Sequence, residues 1–111
     1  MAKTPLWLVP LHVRGGVEPL PASFTGAYVR VFCTAPDANI AAWTAIQAIE
    51  AMGYSVPDNP TTVEMMPASD YEQFIAAQWP ELVNELPTQS ELYERLAENR
   101  VVLGPFGAYS D

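Results

Sequence analysis

Residues 26–53, GAYVRVFCTAPDANIAAWTAIQAIEAMG, decide how the rest of the chain is read. The first part alternates: Ala27, Val29, Val31 and Cys33 fall on one side of an extended chain, and Tyr28, Arg30, Phe32 and Thr34 on the other. A period of two is the mark of a strand whose faces meet different surroundings, and the aliphatic side is the core candidate. A helix is expected directly afterwards. Thr34 offers an N-cap with Asp37 three residues on, Pro36 suits a first turn, and Gly53 supplies a stop. At helical spacing Ala38, Ala42, Ala45, Ile46, Ile49 and Met52 share a face that should turn inward, with Trp43 at its border.

Upstream, residues 6–14 also alternate, with Trp7, Val9, Leu11 and Val13 on one side and Leu8, Pro10, His12 and Arg14 on the other. Pro10 has no N–H to give a ladder, which predicts an edge strand paired antiparallel to the strand at 26–33. Downstream, Pro57-Asp58-Asn59-Pro60 reads as the turn of a hairpin between 54–56 and 61–66. Ser69 with Glu72 and Thr88 with Glu91 have capping-box spacing. They open two helical patterns, one carrying Tyr71, Phe74, Ile75 and Gln78 and stopped by Pro80, the other carrying Leu92, Tyr93 and Leu96. Between them Leu82, Val83 and Leu86 allow a short helical piece, and residues 101–103 read as a last strand before an irregular Gly-Pro close.

The 111 residues are expected to make one domain, residues 1–111. Half are hydrophobic and 16% charged, a globular composition. Setting the first strand aside, the order strand, helix, short strand, strand, broken helix, strand is that of a ferredoxin-like sandwich. The expectation is therefore an α+β, two-layer, mainly antiparallel fold with helices on one face and an extra N-terminal edge strand.

Several chemistries are set aside. One cysteine forms no internal disulfide, no Cys or His pair has metal-ligand spacing, and no glycine loop matches a dinucleotide or phosphate cradle. Neither a cofactor nor a metal is expected. Pro10, His12 and Arg14 interrupt the apolar run after Lys3, so a signal peptide is not read there, and no stretch approaches a membrane span; a cytoplasmic location is expected. Cys33 precedes a helix N-terminus, where a thiol can be activated, but it shares the apolar side with Val29 and Val31 and is read as core. His12 falls on the opposite side, so strand parity separates the only imidazole from the only thiol.

Charge is the strongest bulk signal. The net charge is −8, and all of it belongs to residues 57–111, where two arginines stand against ten acids. Such a half repels nucleic acid and membrane phosphates and attracts a basic protein surface. The first reading is thus a non-enzymatic interaction protein of the inhibitor or immunity type, binding a basic partner through Glu81, Glu85, Glu91, Glu94 and Glu98. The alternative belongs to another class, a dimeric enzyme or small-ligand sensor that uses an uncovered sheet face carrying Tyr28, Arg30 and Phe32 with His12 and Arg14, His12 being the one available base. A homodimer could bury the same face.

Overall fold

In the computed structural model, which describes residues 5–17, 19–20, 24–60 and 62–109, two long strands form the centre of the sheet. These are β1 (Pro5–Val13) and β2 (Gly26–Cys33), paired antiparallel with Trp7 opposite Cys33, Val9 opposite Val31 and Val13 opposite Ala27. The expected alternation of 26–33 is realised on both strands at once. Trp7, Val9, Leu11, Val13, Val29, Val31 and Cys33 point to one face, and helix α1 (Ala38–Ala51) covers them with Ala41, Ala45 and Ile49. Small residues at two of these positions let the helix approach closely, and the Cys33 thiol reaches the Ala41 carbonyl at 3.7 Å. The inner stripe is turned from the expected one, since Ala41 is buried and Met52 stays 44% exposed.

The cap of α1 also differs. Asp37, in extended conformation, accepts from the Ile40 N–H at 2.9 Å, and Thr34 is not the cap. The Ala35 carbonyl accepts the Trp7 indole N–H at 2.8 Å, which ties the helix entry to β1. Gly53 ends the helix as expected, with a φ of 94° that a side chain would resist.

The remaining strands are short. β3 (Glu64–Pro67) pairs with β1; β4 (Val102–Leu103) and β5 (Gly107–Tyr109) both pair with β2, and every ladder is antiparallel. The strand order β3-β1-β2-β4 puts β1 inside the sheet. The expected N-terminal edge strand is therefore a central one. A ferredoxin-like order would set β2 directly beside β3, whereas here β1 stands between them; what holds is an α+β fold built on a five-stranded antiparallel sheet.

Pro10 is accommodated by where its missing N–H would point. The Arg30 carbonyl, opposite Pro10 in register, accepts from Gly104 on the β4 side. Backbone groups alternate in direction along a strand, so the groups of Pro10 point away from β2, toward the β3 side. There β3 pairs only as far as Leu8, and the chain touches β1 next at an isolated bridge between Arg14 and Ser55. The segments read as a hairpin thus lie along one edge of β1, interrupted opposite Pro10, and residues 57–60 bow outward there. Thr61, expected to begin that strand, lies outside the described residues, as do Lys3 and part of the 15–25 loop.

The second face of the sheet is covered at one end only. Ala68–Asp70 forms a 3-10 turn leading into α2 (Tyr71–Gln78), then a second 3-10 turn (Val83–Glu85) and α3 (Gln89–Ala97). Tyr71, Ile75, Leu92 and Val102 enclose Leu6, Leu8 and Phe32. The helices thus occupy both faces, contrary to the one-face expectation. Parity supplies the reason: β1 and β2 are apolar on both sides at this end, and each side has to be buried. Phe32 meets Tyr71, Phe74 and Trp79 edge to face at 5.2, 6.0 and 6.5 Å and is wholly buried.

The Thr88–Glu91 capping box forms with both of its bonds, the Glu91 N–H donating to the Thr88 hydroxyl oxygen and the Thr88 N–H donating to the Glu91 carboxylate; the bond from the Thr88 backbone, with the Thr88 hydroxyl beside it, holds that carboxyl below the usual carboxylate range. Ser69 and Glu72 form no such box. Glu72 instead exchanges two 3.1 Å bonds with Gln89, its N–H donating to the amide oxygen and its carboxylate accepting from the Gln89 N–H, so that the starts of α2 and α3 are clasped. Tyr93, expected to face inward, is 45% exposed.

Candidate ligand groove on the open end of the sheet

The uncovered end of the second face carries the alternate residues Pro10 and His12 of β1 and Tyr28 and Arg30 of β2, with Pro10 opposite Arg30 and His12 opposite Tyr28. They floor a groove of about 560 Å³, a size suited to a small organic ligand. One rim is the outward bow with Asp58, Asn59 and Pro60. The other is Pro105 and Gly107, and Gln78 and Trp79 close the end toward the helices.

Both rims arise from interruptions of the outer ladders. On the β4–β5 side the Gly104 N–H still pairs with Arg30 and Gly107 pairs with Tyr28, so Pro105 and Phe106 together stand opposite the single residue Val29. That extra residue is a bulge, a device that bends an edge away from the sheet.

His12 joins the two rims. Its Nδ1 lies 3.0 Å from Asp58 Oδ2, and its Nε2 lies 2.5 Å from the Tyr109 hydroxyl. A carboxylate can only accept, so Nδ1 carries the proton, and in the neutral ring Nε2 accepts from the phenol. Tyr109 reaches across Gly26, where any Cβ would collide with its ring. His12, Tyr28 and Tyr109 stack with centroids 5.0 to 5.9 Å apart. Tyr28 nevertheless remains 60% exposed.

Arg30 is half-buried, and its guanidinium lies 5.7 Å from the centre of the Trp79 ring and donates to Gln78 Oε1 at 3.0 Å. Among the described residues no carboxylate stands within ion-pair distance of it. The chain has 13 acids, yet among the described residues the partners of the cation in the groove floor are neutral. An adjoining cavity of about 430 Å³ shares Pro10, Arg30 and Gln78 and adds Thr62 and Glu64.

No family model, curated protein or solved structure matches the chain.

Of the residues expected on an open sheet face, the structure gathers His12, Tyr28 and Arg30 in one groove. Arg14 shares their side of β1 but sits beyond the groove at the Ser55 bridge, exposed. Phe32 is a correction, because the face is closed above it by α2 and Trp79. Cys33 lies in the core on the other face, and burial pushes its thiol up to about 11, so it is neither near His12 nor activated. Glu81, Glu85, Glu91, Glu94 and Glu98 are all exposed. Glu81 lies in a turn and Glu85 in a 3-10 turn, and Glu98 pairs loosely with Arg100 at 4.0 Å. Asp58, Gln78, Trp79 and Tyr109 escaped the sequence reading. Only Gly26 signals Tyr109 in the sequence, as a bare position in a strand that a neighbouring aromatic can cover. Among the described residues no group of three His, Cys, Asp or Glu side chains is placed to hold a metal, and no helix is long and apolar enough to cross a membrane.

Proposed function

We propose that the protein is a small binding protein of the ligand-sensor kind, taking a small anionic molecule into the groove over β1 and β2. The observation that carries this reading is Arg30, a half-buried guanidinium in an apolar groove with Gln78 and Trp79 as partners and, among the described residues, no carboxylate within ion-pair distance. A desolvated cation gains most from an anion that reaches it, and a planar guanidinium can offer two parallel N–H bonds to a carboxylate or phosphate. His12 has both ring nitrogens occupied by Asp58 and Tyr109, which supports a positioning role for it rather than that of a free base.

A panel of small carboxylates, sulfate and phosphate in thermal-shift measurements at low ionic strength tests the reading. Saturable stabilisation is expected for the wild type and its loss for Arg30→Gln, by mass action on the folded state. Responses identical in the two proteins would end it.

A second reading concerns the acidic half. Glu91, Glu94 and Glu98 follow one stripe of α3, exposed together with Glu81 and Glu85. This supports docking on a basic protein, in an inhibitor or immunity-type role. Glu94→Lys with Glu98→Lys leaves the cap at Glu91 untouched and is expected to abolish capture of a basic partner. Capture should also weaken steeply between low salt and about 0.15 M, as exposed charges are screened over ~8 Å there; a salt-insensitive complex would count against this surface.

A further inference from the structure

Resting on the anion-binding reading of the groove, we infer that its ligand is a planar aromatic compound carrying a single carboxylate. Three features of the groove converge on that class.

The first is the number of charges. Among the described residues Arg30 is the single guanidinium lining the groove, while Asp58 lies on the rim and Glu64 in the adjoining cavity. One guanidinium matches one negative charge, so a singly charged ligand is favoured over a phosphate-type dianion, whose second charge would face the acidic rim without a cationic partner.

The second is shape. The groove is bounded by flat, rigid surfaces: Pro10 in the floor, Pro60 and Pro105 on the two rims, the Trp79 indole at one end and the Tyr28 ring at the other. A planar molecule can lie between the rims and keep contact with these surfaces at small entropic cost.

The third is the placement of Tyr28. It is two residues from Arg30 on the same side of β2, a spacing of about 7 Å along the strand, close to the length of a benzoate. It is 60% exposed although it stacks with His12 and Tyr109. A ring attached to a carboxylate seated on Arg30 can therefore extend along β2 toward Tyr28. Asp58 and Tyr109, both held by His12, fix the walls beside it.

The test uses the intact protein, labelled with ¹⁵N, and four probes: benzoate, cyclohexanecarboxylate, benzamide and inorganic phosphate. Benzoate is expected to shift the Arg30, Tyr28 and Trp79 indole signals saturably. It should bind about fivefold more tightly than cyclohexanecarboxylate, the size of effect that ring stacking supplies, with benzamide and phosphate weaker still. Arg30→Gln should weaken benzoate at least tenfold, as loss of a charge-assisted pair does. Arg30→Lys should give an intermediate affinity, and Tyr28→Leu should erase the preference for benzoate over cyclohexanecarboxylate. Dispersed spectra establish that each variant is folded. If cyclohexanecarboxylate or phosphate binds as well as benzoate and still depends on Arg30, the aromatic class is overturned while the anion groove stands. Benzamide equal to benzoate, or no probe shifting the groove signals, overturns both.

Discussion

Two ends of one sheet face, built from the same pair of strands, meet different fates. At one end Leu6, Leu8 and Phe32 are sealed under Tyr71, Ile75, Leu92 and Val102. At the other, His12, Tyr28 and Arg30 have the same parity on β1 and β2 but lie past the end of α2, which reaches only Arg30 through Gln78 and Trp79, and the outer ladders that flank them are interrupted. An aromatic on a strand is thus core or site according to whether another element reaches it. The open end also shows how a small protein makes a groove cheaply: a proline in β1 and a bulge after β4 loosen both edges at the same level, and the freed segments become walls.

The sharpest way to break this contrast is to shorten an aromatic at each end. Phe32→Ala is expected to cost about 3–5 kcal/mol of stability in urea denaturation, as removal of a buried ring and the cavity left behind do. Tyr28→Ala, at 60% exposure, should stay within about 1 kcal/mol. Equal costs would mean that the open end is core after all.

Gly26→Ala probes the open end by overfilling it. Its Cβ would collide with the Tyr109 ring, so a loss of about 1–3 kcal/mol is expected. Loss of the His12–Tyr109 bond should accompany it, visible in the imidazole ¹⁵N shifts. Unchanged shifts would detach Tyr109 from the groove.

The smallest effect is pH dependence arising from the two buried clusters. Burial raises the Cys33 thiol from 9.0 to about 11 and the Tyr71 phenol from 10.0 to about 12. Both groups ionise more readily in the unfolded chain, so the stability they contribute is complete below about pH 9 and declines as pH rises toward 11–12. Urea midpoints should fall over that window, and less for Cys33→Ala. A thiol reagent should find Cys33 unreactive until the protein unfolds.

Much of the fold is legible in local pattern. The alternation of 26–33 and of 6–14, the stop at Gly53, the break at Pro80 and the Thr88–Glu91 box depend on neighbours a few residues away, and each stands in the structure. His12, Tyr28 and Arg30 could be placed on one side of two strands by parity alone. Pro10 misled for a physical reason: a missing N–H excludes pairing on one side of a strand only, and the edge inferred from it is a gap inside the sheet.

The sequence by itself therefore determined the strand faces, the helix start at Thr88 and the stops at Gly53 and Pro80, the core position of Cys33 and the placement of charge in the second half. Tertiary structure alone decided that β1 is central, that α2 and α3 cross to the second face and bury Phe32, and that Asp58 and Tyr109 meet at His12 from 46 and 97 residues away. Those outcomes depend on which partner a strand edge or apolar face finds, and contacts between distant segments leave no periodic trace in the chain that makes them.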